Sequence, residues 1–132
     1  MKLDYTFLDE LNKPNFQPPE WIFNYVWPTL YILMFISLYV FLSKDTTQSR
    51  MVGVWAFLIQ LGLNFAWTPA FFALKNIPLA FFISVFLTIA VTYMIFEFWK
   101  ISPLSAILNI PYLLWVIFAD ILNFYLWKLN QF

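Results

Sequence analysis

Lys13-Pro-Asn-Phe-Gln-Pro-Pro-Glu-Trp-Ile-Phe-Asn-Tyr-Val-Trp-Pro-Thr-Leu-Tyr31 is the stretch in which the chain stops being polar and becomes apolar. Pro14, Pro18 and Pro19 fix φ and disfavour helix in the residues before them, so the first part of the stretch reads as a stiff, extended loop able to cover something. Trp21, Phe23, Tyr25 and Trp27 follow at once, where a membrane span would cross the headgroup layer. The plain alternative is an interfacial aromatic anchor in front of a helix start.

The rest of the chain agrees with a bilayer. Of 132 residues, 63% are apolar, 23% aromatic and 11% charged, whereas soluble domains are roughly half apolar and a quarter charged. Between Glu20 and Lys44 lie 23 uncharged residues, between Arg50 and Lys75 lie 24, between Lys75 and Glu97 lie 21, and between Lys100 and Asp120 lie 19. About 20 residues of helix cross a hydrocarbon core, and four strands could not close a barrel in lipid. The spacing therefore predicts an all-α polytopic bundle in one domain, 1–132, with an N-terminal segment and Pro-rich loop over 1–20 and spans near 21–43, 52–74, 78–99 and 104–129. The connections at 44–51, 75–77 and 100–102 are short, so neighbouring helices run antiparallel. Pro78 and Pro103 fall in first turns, where a missing N–H is harmless; Pro28, Pro69 and Pro111 fall inside spans and predict kinks.

Composition removes several function classes. Net charge is zero with scattered Lys and Arg, which leaves no footprint for nucleic acid. Cys and His are both absent, so thiolate chemistry, the usual zinc sites and the common axial ligands of haem are missing; no metal site is expected. The segment before Asn12 has no long apolar core and is not read as a signal peptide. Lys2, Lys13, Lys75 and Lys128 against Lys44, Arg50 and Lys100 leave the positive-inside count undecided.

Polar groups within the spans are the candidate site. Gln60, Asn64 and Trp67 share one helical face of span two, readable as a ligand wall or as interhelical hydrogen bonds with Gly62 and Ala66 allowing close approach. Tyr112, Trp115, Ala119, Asn123 and Leu126 make a stripe on span four, suited to a flat ligand or to plain packing. Asp120 is the one carboxylate well inside a span, where charge is costly; it is expected to sit protonated, to pair with an Asn or Tyr, or to reach water near Lys128. Glu97 reads as a boundary charge near Lys100.

In order along the chain, Lys-Pro-Asn-Phe-Gln-Pro-Pro-Glu-Trp at 13–21, Val-Trp-Pro-Thr-Leu-Tyr at 26–31, Leu-Asn-Phe-Ala-Trp at 63–67 with Phe71 and Phe72, Ser-Pro-Leu at 102–104 and Pro-Tyr-Leu-Leu-Trp at 111–115 resemble the translocator protein, or tryptophan-rich sensory protein, family (TspO/MBR). The resemblance covers 13–130. It implies a five-helix bundle in a bacterial cell membrane, a homodimer, and a pocket for porphyrins, in some members cholesterol, closed by the Pro-rich loop. It assigns the pocket to Trp27, Tyr31, Asn64, Trp67, Trp115, Ala119 and Leu122, beside Asn123 of the stripe, and the lid to Pro14, Pro18, Pro19 and Trp21. Trp27 and Trp115 match the two tryptophans tied to porphyrin chemistry. No catalytic residue follows unless these two serve light-dependent porphyrin breakdown.

Three departures accompany the match. Phe124 stands where the loose cholesterol pattern at 122–128 has Tyr, Phe98 where relatives often have Trp, and Asp120 where a small polar residue is common. The family's first helix has no counterpart ahead of Lys13, so four spans are expected, with a partner helix in its place, an open side, or a sequence shortened at its start. With no His or Cys, a tetrapyrrole would be metal-free and held by packing; no cofactor is required. The functional readings are a binding protein for flat hydrophobic ligands acting in sensing or transport, a porphyrin-degrading photoenzyme, and a non-catalytic membrane subunit.

Overall fold

Apolar side chains on all sides of a helix leave it no soluble surface, and the chain resolves this by stacking such helices and leaving their outer faces to lipid. The computed structural model describes residues 20–130. Its elements are α1 (Glu20–Ser43), α2 (Met51–Thr68) with a π turn (Pro69–Ala73), α3 (Ile77–Ile101), α4 (Pro103–Ile107) and α5 (Ile110–Asn130). Four segments are long and apolar enough to cross a membrane: Tyr25–Ser43, Met51–Phe71, Ile77–Ile101 and Pro103–Leu129. The fold is the helical membrane bundle expected from the charge spacing. The Pro-rich loop, with Pro14, Pro18 and Pro19, lies outside the described residues.

Helix α3 is the hub, packed between α2 on one side and α4 and α5 on the other, while α1 rests on α4 and the start of α5. One core cluster joins Leu30, Met34 and Phe41 of α1 to Phe57, Val91, Met94, Phe98, Tyr112 and Val116. A second joins Ala70, Phe71, Ile77, Ala80, Leu122 and Leu126 at the opposite end, with no contribution from α1 among the described residues. Trp55, Phe86, Ile89 and Leu114 are exposed, as expected of faces solvated by acyl chains.

Helix ends follow their local chemistry. Asn76 Oδ1 accepts from Leu79 N at 3.1 Å ahead of Pro78, and Ser102 Oγ accepts from Ser105 N at 3.3 Å ahead of Pro103; both are N-caps that supply an acceptor to an orphan donor. After the π turn, Asn76 N donates to Ala70 O at 3.0 Å, six residues back, and Lys75 adopts φ 52°, a left-handed ending one residue wider than a Schellman motif. A Cβ in that region costs about 1–2 kcal/mol. Lys75→Gly should therefore raise the unfolding free energy by about 1 kcal/mol, measured by reversible unfolding in mixed micelles. Lys75→Ala, which removes the side chain but keeps Cβ, should not; equal gains in both would overturn this account.

The three interior prolines act differently. Helix α1 runs unbroken through Pro28. From Pro69 on the helix widens: Leu74 N donates to Pro69 O at 2.9 Å, five residues back, a single π turn that closes α2. At Pro111 the expected single span with a kink is instead two helices, α4 and α5, parted at Leu108 and Asn109. Pro111 cannot donate to the carbonyl four residues back and its ring crowds it, and a buried polar knot stabilises the break. Asn109 Nδ2 donates to Ser37 Oγ at 2.5 Å and to Ser105 O at 3.1 Å, while Ser37 Oγ donates to Ser105 O at 2.7 Å.

Candidate functional site

Because α1 and α5 converge, Trp27 and Trp115 meet edge to face, with ring centroids 6.3 Å apart and planes at 88°. Tyr31, one turn along α1, lies 6.1 Å from Trp27 and 6.2 Å from Phe65, and Trp115 lies 5.4 Å from Phe118. These rings supply large apolar area with fixed geometry.

The polar edge of the site is a chain of side chains crossing three helices. Tyr31 Oη–H donates to Asn64 Oδ1. Asn64 Nδ2 donates to Tyr112 Oη at 2.7 Å, and Tyr112 Oη–H donates to Gln60 Oε1 at 2.8 Å. Gln60 Nε2 closes the chain on Met34 Sδ at 3.4 Å, back on α1. Gln60 and Asn64 are buried, and each amide finds partners on both sides, as a buried amide must.

The remaining expected residues fall elsewhere. Trp67 stacks on Phe71 with centroids 5.0 Å apart and, with Leu122, belongs to the second cluster. Ala119 lies between the two groups on α5; its carbonyl accepts from Asn123 Nδ2 at 2.8 Å. That bond fixes the amide's orientation, since a carbonyl can only accept, and leaves the buried Asn123 Oδ1 without a donor among the described residues. Trp21 is exposed and packs on Tyr25, with centroids 6.3 Å apart. The expected residues thus form two groups, Trp27, Tyr31, Asn64 and Trp115 in one, Trp67 and Leu122 in the other. An open groove of about 480 Å³ runs along α1 beside the first group, lined by Tyr31, Ile32, Phe35, Ile36 and Tyr39.

Two features were not legible in the sequence. Tyr112 is the junction of the polar chain, although its place on the α5 stripe was the signal available. Asp120 pairs with neither an amide nor a tyrosine, and does not lean toward Lys128: Ser84 and Thr88 of α3 hold its two carboxyl oxygens. Hydroxyls four residues apart on α3 face one carboxyl on α5, a match only the helix register reveals. Glu97 meets Lys100 at 3.2 Å, the boundary pair expected.

Four membrane-length helices around an interior of indoles, phenols and amides define a multi-pass helical membrane protein with an aromatic core site. The chain belongs to the TspO/MBR family, whose model matches residues 3–128. It is 37% identical over 123 residues to Protein CrtK of Rhodobacter capsulatus, covering 92% of this chain and 77% of that protein. It is 40% identical over 126 residues to the Tryptophan-rich protein TspO of Archaeoglobus fulgidus, covering 95% and 80%. Against the human Translocator protein it is 33% identical over 123 residues, covering 92% and 73%. The spans and the bacterial relatives place it as a multi-pass protein of a bacterial membrane.

Proposed function

We propose that this protein binds a flat hydrophobic ligand, a metal-free porphyrin first and a sterol-like molecule second, at Trp27, Tyr31, Asn64 and Trp115, and acts in sensing or transport as a homodimer. The observation that carries this reading is the edge-to-face contact of Trp27 and Trp115, centroids 6.3 Å apart, bordered at Tyr31 by the hydrogen-bonded chain that begins there and passes through Asn64. An indole of the pair can turn to stack on a planar ring system, while the amide orients a polar substituent. Trp67, Ala119, Leu122 and Asn123 extend the site toward the second cluster, with Asn123 Oδ1 as its spare acceptor. Trp21 belongs to the lid with Pro14, Pro18 and Pro19. For the homodimer, α2 offers an exposed face at Leu58, Ile59 and Phe65 around Gly62, where an added Cβ meets nothing within 4 Å, so a second helix can approach closely.

Titration with protoporphyrin, read by tryptophan quenching in detergent and in vesicles, tests the reading. Trp115→Ala should weaken binding at least about tenfold, the equivalent of one buried aromatic contact, and Trp27→Phe by less. Unchanged affinity in both variants defeats it. The same ring contact favours a second reading, in which the pair exchanges an electron with the photoexcited ligand. Illuminated protein should then yield a bilin-like absorbance, and bleaching equal to that of free porphyrin in detergent removes this reading.

A further inference from the structure

Asp120 lies ten residues from each end of α5 and well inside the membrane-length segment Pro103–Leu129, so at 1.5 Å per residue the nearer end of that segment is about 13 Å away, beyond the reach of a short side chain to headgroups. An ionised Asp there is costly unless a cation or several donors accompany it. None of the charged groups supplies that. Helix α3, which packs on α5, carries no ionisable side chain from Ile77 to Thr92; α2 carries none; on α5 the nearest are Tyr125 and Lys128, five and eight residues on, and Tyr112, eight residues back and engaged by Asn64 and Gln60. The ionisable groups of α1 within its span are Tyr25, Tyr31 and Tyr39, and Tyr31 is engaged by Asn64.

Counting protons at the carboxyl decides which form the seam between α3 and α5 is built for. Ser84 Oγ–H donates to Asp120 Oδ1. Thr88 Oγ touches Asp120 Oδ2 and also lies 3.0 Å from Ser84 O. One hydroxyl has one proton. If Thr88 gives it to the Ser84 carbonyl, the contact with Oδ2 needs a proton on the acid, and then every group is satisfied: Asp120 Oδ2–H donates to Thr88 Oγ, and Thr88 Oγ–H donates to Ser84 O. If Asp120 is ionised, Thr88 must swing its proton away from the backbone to the carboxylate. The two protonation states therefore require two hydroxyl arrangements within one half-buried cluster.

We propose that Asp120, Ser84 and Thr88 form a proton-binding site in mid-membrane, which takes one proton from water and returns it, with Thr88 turning between its two acceptors as it does so. The site is separate from the Trp27–Trp115 pair and stands whether or not that pair binds porphyrin.

Infrared difference spectroscopy of the protein in lipid vesicles tests it, subtracting Asp120→Asn from the unmodified chain at each pH. A carboxylic C=O stretching band specific to Asp120 should be present at the acid end and bleach reversibly as pH rises. Ser84→Ala and Thr88→Val should move the midpoint of that bleaching. Thr92→Val should leave it in place, since the Thr92 hydroxyl is committed to Thr88 O at 2.8 Å. If Asp120→Asn does not fold, aspartate labelled at its carboxyl carbon assigns the band in the unmodified chain, with the exposed aspartates separated by exchange in deuterated buffer. Absence of the band at every pH at which circular dichroism reports an intact bundle overturns the proposal. So does a band that persists until the helices melt, or a midpoint indifferent to Ser84 and Thr88.

Discussion

Phe41→Ala lowers the unfolding free energy by about 3 kcal/mol, the low end of the usual range for Phe truncation in a core. Phe41 is fully buried, and its ring stacks on Phe98 with centroids 4.0 Å apart and planes at 12°. Facing it on α2 is Gly53, where an added Cβ would come within 2.5 Å of Phe41 Cζ. The ring therefore fills a niche between α1, α2 and α3 whose floor is a missing side chain. In lipid the transfer part of the usual cost shrinks, because acyl chains are as apolar as the core; the lost dispersion contacts around the cavity remain. Gly53→Ala presses on the same ring from the other side and should cost about 1–3 kcal/mol by overpacking. The double variant should cost less than the sum, since a methyl partly refills the space. Gly62→Ala, with nothing to meet, should be neutral or mildly favourable in the same mixed-micelle unfolding assay. A Phe41→Ala protein within 1 kcal/mol of the parent would mean the α1–α3 stack is not the brace described.

Tyr112→Phe should cost about 2 kcal/mol, from a change of a single oxygen. That hydroxyl both accepts from Asn64 Nδ2 and donates to Gln60 Oε1, and its loss leaves two buried amide groups without those partners, at about 1–3 kcal/mol for unsatisfied groups. Tyr31→Phe removes a donor from Asn64 Oδ1 alone and should cost about 1 kcal/mol or less, in line with interhelical hydrogen bonds in membranes. Combining Tyr112→Phe with Gln60→Leu removes the stranded acceptor, so the pair should recover part of the loss in a double-mutant cycle. Strict additivity would show that Gln60 does not depend on the tyrosine.

The spans were legible because charge is so costly in lipid that its spacing alone marks the crossings, and the starts at Asn76-Ile-Pro78 and Ser102-Pro103 carry their caps in sequence. Pro111 was legible as a disturbance but not as a break. Whether a proline bends a helix or parts it depends on what else receives the freed groups, and here that is Ser37, 72 residues from Asn109. The π turn that begins at Pro69 is likewise a register change that no local pattern announces. At the site, the shared face of Gln60 and Asn64 was readable from a spacing of four, whereas Tyr112 as their junction depends on how α5 sits against α2. The partners of Asp120 escaped the reading for the same reason, since they are set by the register of α3 against α5.

The polar knot of Ser37, Ser105 and Asn109 has a mechanical meaning. It pins α1 to the α4–α5 corner at one end of the bundle, while at the other end the second cluster closes without a contribution from α1 among the described residues. Helix α1 is thus fastened in series: Ser37 holds it to the corner, Met34 and Tyr31 hold it to α2, and Trp27, next along, is the last of these rungs, so the Trp27–Trp115 contact inherits its position from three polar ties rather than from packing at its own end.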